Sequence, residues 1–76
     1  MNTKQIRDRL DSLISFFGFD YNGKACGVDP ISHTHFEMWC GNDYLVAKSI
    51  DEVMSVSLFN GKSLAEIADD INITDM

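Results

Sequence analysis

An alternating stretch in the middle of the chain constrains the fold more than any other sequence feature. Residues 33–40 read HTHFEMWC and residues 44–48 read YLVAK, with Gly-Asn-Asp between them. Two runs rich in β-forming residues around such a turn predict a β-hairpin. Side chains alternate between the two faces of a strand, so the pattern predicts a core face and an opposite face. The core face is Phe36, Met38 and Cys40, and the opposite face is His35, Glu37 and Trp39.

A helix is predicted before this hairpin, over about residues 3–17. Asn2 suits the N-cap, Gln5 completes a capping box, and Gly18 suits the left-handed position that ends a helix. Apolar residues recur at helical spacing. They are Ile6, Leu10, Leu13, Ile14 and Phe17.

Two further helices are predicted after the hairpin. Ser49 caps the first of them with Glu52 three residues on, and Ser63 caps the second with Glu66. A short strand over Lys24–Val28 fits between the turn signals Asn22-Gly23 and Asp29-Pro30. The predicted order is therefore α-β-β-β-α-α. Residues 1–76 are expected to form one small α+β domain, with helices on one face of an antiparallel sheet of two to three strands.

Negative charge is concentrated in the second part of the chain. The net charge is −6, and residues 25–76 hold nine acidic residues against two lysines. Such a surface repels nucleic acids and anionic membranes and attracts basic surfaces. The charge predicts a basic protein partner, for example a nucleic-acid-binding protein, and no direct binding of nucleic acid or membrane. The alternative is that the charge only keeps a small protein soluble.

The chain shows no signal for export or membrane insertion. No run is long and apolar enough to span a bilayer, and the polar N-terminus lacks the apolar segment of a signal peptide. We expect a cytoplasmic protein, in which Cys26 and Cys40 are free, partly buried thiols.

Two short motifs resemble nucleic-acid or nucleotide sites. SLAEIADDINIT, residues 63–74, is similar to the first half of a helix-turn-helix, but the sequence stops at Met76, where a recognition helix would begin. Asn60-Gly61-Lys62-Ser63 resembles the end of a phosphate-binding loop, but Val56 stands where that motif needs glycine. Both stretches are interpreted as helix starts.

Histidines at two alternate positions raise the possibility of a metal site. His33 and His35 have the spacing that places two ligands on one side of a strand, and four residues are candidates for a third ligand. These are Cys26, Asp29, Glu37 and Cys40. The set is incomplete, because i and i+4 on a strand lie about 13 Å apart and no C-x-x-C is present. We expect no metal and no cofactor, and keep a small metal-binding or redox domain as an alternative.

Catalysis is not expected. Cys40 beside a histidine is conceivable as a nucleophile, but that chemistry needs a base and a shaped pocket. A chain of 76 residues with a small sheet leaves little room for a cleft.

Amphipathic aromatics among acids predict a docking surface. Tyr21, Trp39 and Tyr44 are of the type enriched in interfaces. Trp39 is exposed if helices cover only the other sheet face, and buried if the first helix packs on it. The candidate partner-binding residues are Glu37, Trp39, Asp43, Tyr44, Asp51, Glu52, Glu66, Asp69 and Asp70.

The stretch AKSIDEVMSVSLFNGKSLAEIADDI, about a third of the chain, resembles short uncharacterised proteins of bacteria and their phages. In size and charge the chain is similar to anti-CRISPR and anti-restriction proteins, small acidic inhibitors that place carboxylates where phosphates would sit. The resemblance implies a non-catalytic inhibitor or nucleic-acid mimic and assigns no residue a role. A self-associating structural module is a further alternative.

Overall fold

The computed structural model describes residues 2–13, 16–71 and 73–75. A helix precedes four strands, two short helices follow them, and a last short strand returns to the sheet. The elements are α1 (Thr3–Ser12), β1 (Phe17–Tyr21), β2 (Lys24–Ser32), β3 (His35–Cys40), β4 (Asp43–Ala47), α2 (Ile50–Ser55), α3 (Leu64–Ile67) with a 3₁₀ turn (Ala68–Asp70), and β5 (Ile73–Asp75).

The five strands form one antiparallel sheet in the order β4-β3-β2-β1-β5. The expected α+β class and the β3–β4 hairpin are confirmed. The expected number of strands was too low, because β1 and β5 were not predicted.

Turn residues explain why the first four strands form consecutive hairpins. Asn22 and Gly23 join β1 to β2 with φ angles of 53° and 78°, as a type I′ turn requires. Gly41 joins β3 to β4 with φ 62°, which suits the first central position of a type II′ turn. Both turns follow the right-handed twist of the strands that they connect.

The predicted end of the first helix was wrong. Leu13 already adopts the left-handed conformation with φ 53°, and its N–H bonds the Leu10 carbonyl. Phe17 and Gly18 belong to β1 instead. Aromatic residues favour strands, and the Asn22-Gly23 turn lets this segment pair with β2. Ile14, the remaining position of the expected helical face, lies outside the described residues.

The caps formed nearly as predicted. Asn2 with Gln5 and Ser63 with Glu66 make complete capping boxes. Ser49 accepts a bond from the Glu52 N–H, but the Glu52 carboxylate accepts from the Lys48 N–H at 2.7 Å instead of from Ser49.

All the helices pack on one face of the sheet, which we call the inner face. Phe36, Met38 and Cys40 are buried there, as predicted. They share one hydrophobic cluster with the apolar side chains of the helices and of the loop after α2. From those segments come Ile6, Leu10, Val53, Met54, Phe59, Leu64 and Ile67, and Ile71, directly after the 3₁₀ turn, joins them.

The two cysteines are joined as a disulfide, so the expectation of free thiols was wrong. Cys26 and Cys40 are directly opposite each other on β2 and β3, both on the inner face, with Cα atoms 4.0 Å apart. The sequence separation of 14 residues gave no hint of this, since the pairing depends on the strand register.

Candidate functional site

The face of the sheet that turns away from the helices carries the aromatic and acidic residues of greatest interest. We call it the outer face. Alternation along β1 to β4 and the strand register place its residues. They are Gly18, Asp20, Ala25, Gly27, Asp29, His35, Glu37, Trp39, Tyr44 and Val46.

Trp39 lies across the middle of the outer face and is half-buried. Its indole covers Gly27, the residue opposite it on β2, and Gly27 in turn pairs with Gly18 on β1. A Cβ atom at Gly27 would lie 2.8 Å from Cε2 of Trp39. The two glycines therefore leave the space that the indole occupies. Phe16 packs beside it, with ring centroids 6.3 Å apart.

Helix α1 does not cover Trp39, because it packs on the inner face of the sheet. The buried residues of α1, Ile6 and Leu10, belong to the inner-face cluster. Phe16, in the connection to β1, is what partly covers the indole.

Tyr44 extends the aromatic surface to the edge of the sheet. It pairs with Trp39 across β3 and β4 and is 59% exposed. Partial desolvation of the phenol raises the pKa of Tyr44, and the Glu37 carboxylate raises it further by its charge and as a hydrogen-bond acceptor. Tyr44 and Glu37 thus influence each other on the outer face, where they lie on the adjacent strands β4 and β3.

Two carboxylates face each other beside this aromatic surface. Glu37 on β3 is directly opposite Asp29 on β2. The Glu37 carboxylate lies 3.4 Å from Nε2 of His35. Within the part of the chain that the structure describes, neither Glu37 nor Asp29 is paired with a lysine or an arginine. Like charges directly opposite in a sheet are destabilising, so the fold keeps this pair at a cost in stability. Asp20 adds a third acid to the outer face.

The remaining predicted partner-binding residues lie elsewhere. Asp43 is at the start of β4, and five acids belong to the helical layer: Asp51, Glu52, Glu66, Asp69 and Asp70. Three of these already have structural partners. Asp51 accepts from Arg7 of α1 at 2.7 Å, and Glu52 and Glu66 accept main-chain bonds at helix starts. The structure therefore brings Glu37, Trp39 and Tyr44 together and separates them from the acids of the helices.

The structural role of Glu66 changes the pKa of its carboxyl group. The Glu66 carboxylate accepts a hydrogen bond from the Ser63 N–H at 2.9 Å, and the Glu66 N–H donates a hydrogen bond to the Ser63 hydroxyl. The pKa of Glu66 is lowered, first by the backbone bond from Ser63 and then by the Ser63 side chain. This carboxylate is engaged as a helix cap.

The two histidines have different partners. His33 lies in the turn between β2 and β3, where its Nε2 is 2.9 Å from the Asp11 carbonyl oxygen and 3.3 Å from the Asp11 carboxylate. His35 contacts Glu37 on the outer face, whereas the bonded cysteines are on the inner face. Among residues 2–13, 16–71 and 73–75, no three His, Cys, Asp or Glu side chains are arranged to hold a metal ion.

The segment that resembles a phosphate-binding loop is a hairpin turn. Asn60 and Gly61 have φ angles of 57° and 80°, and Phe59 and Lys62 exchange main-chain bonds of 3.0 Å across them. In the described part of the chain no pocket is present, and no described helix is both long and apolar enough to cross a bilayer.

Comparisons with protein-family models, with curated proteins and with solved structures found no match to this chain.

Sequence reasoning missed several contributors to the outer face. Asp29 was considered as part of a turn and as a metal ligand, Asp20 and Gly27 were given no role, and Val46 was assigned only to an apolar run. The predicted strand ended at Val28, so the prediction did not place Asp29 on the sheet, whereas β2 continues through Asp29 to Ser32. The exact register was not available, because it depends on the bulge between Pro30 and Ser32.

Proposed function

We propose that this chain is a non-catalytic module that binds a basic surface of another protein through its outer face. The observation that carries the proposal is the Asp29–Glu37 pair, which has no lysine or arginine partner among the described residues and adjoins an exposed aromatic surface. A lysine or arginine of a partner would neutralise the pair, and Trp39 and Tyr44 would supply apolar contact area.

The chemistry of the surface favours a partner segment that combines basic and apolar residues. Two exposed apolar side chains, Phe16 and Val46, flank the aromatics, so a purely ionic partner would leave this area unused. Rim acids mainly raise the association rate and the salt sensitivity, whereas desolvated aromatics mainly slow dissociation. The narrower proposal, inhibition by imitation of a nucleic acid, adds that the partner's own DNA or RNA competes with this chain.

Selection from a displayed library of random peptides tests the proposal without knowledge of the partner. The wild-type chain is the bait, and a Glu37→Lys variant removes peptides that bind elsewhere. We expect the enriched peptides to combine Lys or Arg with apolar residues and to bind more weakly as salt rises. Enrichment of acidic peptides, or binding that is indifferent to salt, would contradict the proposal.

Two matched variants then locate the binding surface. Glu37→Lys changes the outer face, and Asp69→Lys makes the same charge change in the helical layer. We expect Glu37→Lys to abolish binding of a selected basic peptide and Asp69→Lys to reduce the affinity about two- to threefold, the long-range effect of net charge. Tyr44→Ala should reduce the affinity about tenfold, as expected for an interfacial anchor. Equal losses for the two lysine variants would mean that only net charge matters.

A further inference from the structure

Strand β4 is an open edge of the sheet. It pairs with β3 on one side, and no other strand adjoins it in the described structure. Proteins commonly protect such edges with lysine, proline or a bulge. β4 reads DYLVA: its one charged residue, Asp43, is at the end beside the turn, the other four positions hold no charge or proline, and its register with β3 is uninterrupted. Tyr44 and Val46 are 59% and 39% exposed.

The hairpin turn determines which main-chain groups point outward from this edge. Cys40 and Asp43 flank the two-residue turn, so they exchange hydrogen bonds with each other. Hydrogen-bonded and non-bonded pairs alternate along an antiparallel ladder. Tyr44 and Val46 therefore direct their N–H and C=O groups away from β3, where no described residue accepts or donates.

The other side of β3 confirms this alternation. Cys26 and Cys40 have Cα atoms 4.0 Å apart, close to the separation of about 4.5 Å that is typical of a non-hydrogen-bonded pair. The adjoining positions are bonded, with the Gly41 N–H donating to the Ala25 carbonyl at 2.9 Å. Cys40 thus uses its main-chain groups towards β4, as the hairpin turn requires.

We propose that β4 pairs antiparallel with β4 of a second copy of this chain, with Leu45 on the two-fold axis. Tyr44 of each copy is then opposite Val46 of the other. In each such pair the outward N–H and C=O groups of both residues form main-chain hydrogen bonds. Leu45 is opposite Leu45 of the second copy on the inner face. This inference goes beyond the proposed function and does not depend on it.

The side chains of β4 are self-complementary in this register, which favours a second copy over a foreign strand. Aromatic residues pair well with β-branched ones across strands, which suits Tyr44 against Val46. Asp43 of each copy is opposite Ala47 of the other, so no like charges face each other along the junction.

The two-fold axis is perpendicular to the sheet, because the strands continue one another's ladder. Both outer faces therefore point to the same side of the dimer, and both helical layers to the other side. Two copies of the Trp39 and Tyr44 surface become neighbours, which would give a bivalent partner two adjacent contacts.

A proline at Val46 tests the pairing with little disturbance of the monomer. Proline is accepted in edge strands where the N–H faces solvent, and here it removes an outward donor that the dimer needs. Val46→Thr is the matched control, since it keeps the N–H and the β-branched shape. In sedimentation equilibrium we expect wild type and Val46→Thr to dimerise, and Val46→Pro to raise the dissociation constant at least about tenfold. A monomeric wild type at millimolar concentration would overturn the proposal, as would an unchanged Val46→Pro dimer.

Disulfide trapping provides a test that does not require the proline variant to fold. Leu45→Cys places two cysteines at the two-fold axis, in a non-hydrogen-bonded pair whose geometry suits a cross-strand disulfide. Ala25→Cys is the control, on an inner strand away from the edge. Under a glutathione redox buffer we expect covalent dimer from Leu45→Cys well above the level from Ala25→Cys. Equal cross-linking of the two variants would contradict the register.

Discussion

Gly27 is the residue on which the shape of the outer face depends most directly. It is a strand residue with ordinary backbone geometry, so its role is steric. A Cβ atom there would lie 2.6 Å from the Phe17 carbonyl oxygen as well as against the Trp39 indole. The carbonyl belongs to a neighbouring strand and cannot rotate away, unlike the end of a flexible side chain. Trp39 keeps its position because nothing larger than hydrogen stands beneath it.

Gly27→Ala should therefore destabilise the chain by about 1–3 kcal/mol, the usual cost of overpacking. It should also shift Trp39 fluorescence to longer wavelength, because the indole is displaced towards water. Ala25→Val adds more volume to the same strand at an exposed position and should change neither measurement appreciably. A Gly27→Ala variant with wild-type stability and emission would show that Trp39 does not rest on this glycine.

The Glu37 carboxylate and the Tyr44 phenol give a second prediction at the residue scale. The carboxylate favours the neutral phenol, so the pKa of Tyr44 lies above its ordinary value of 10.0. Glu37→Gln removes the charge and should lower the Tyr44 pKa, although part of the desolvation remains. The titration can be followed by ultraviolet absorbance in a Tyr21→Phe background, which isolates Tyr44. An unchanged titration would mean that the two groups are not in contact.

At the scale of elements, short helices depend on their first turns. α3 spans only Leu64–Ile67, too short to be stable by propensity alone, so its capping box and its packing hold it in place. Ser63→Ala should cost about 1 kcal/mol in the free energy of unfolding, measured by urea denaturation.

The charged member of that box predicts a specific pH dependence. The folded-state pKa of Glu66 lies below its ordinary value of 4.5. The stabilisation of the fold by its carboxylate is therefore fully present above pH 4.5. It is lost as the pH falls through the lowered pKa. Glu66→Gln should therefore show a smaller loss of stability on acidification than wild type. The neutral box at α1 is the control, since the destabilisation by Asn2→Ala should not depend on pH. If Glu66→Gln and wild type lose stability in parallel, the carboxylate is not the acid-sensitive group.

The elements also show which parts of the structure the sequence could predict. The β3–β4 hairpin and two capping boxes were predictable, because each depends on residues a few positions apart. The end of α1 was not, because Leu13 has no feature that marks a left-handed cap, and Phe17 suits a helix face and a strand equally well. β5 and the disulfide depend on pairings between distant segments.

The same limit applies to the candidate site. Alternation placed Glu37 and Trp39 on one face, but the contact with Asp29 required the register of β2.

At the scale of the whole molecule, a helical layer and a sheet share one core, and the disulfide links two central strands inside it. The chain has only 76 residues, and small domains bury a smaller fraction of their surface on folding than large ones do. A covalent link between β2 and β3 therefore supplies a substantial share of the stability.

Reduction should lower the free energy of unfolding by about 3 kcal/mol, the loop-entropy value for a closed loop of roughly 15 residues. Urea denaturation with and without a phosphine reductant measures the difference. The double variant Cys26→Ala/Cys40→Ala should be insensitive to the reductant. Two free thiols in the denatured, unreduced protein would contradict the bond.

The separation of the acids into an outer-face group and a helical group leads to the most direct test of the proposed function. Amide and side-chain NMR spectra are recorded while a basic, apolar-containing peptide from the selection is added to the wild-type chain. We predict that the largest shift changes occur at Asp29, Glu37, Trp39 and Tyr44, and that the amides of α3 and of Asp69 and Asp70 remain nearly unchanged. Shift changes concentrated in the helical layer, or spread evenly over both layers, would contradict a binding site on the outer face.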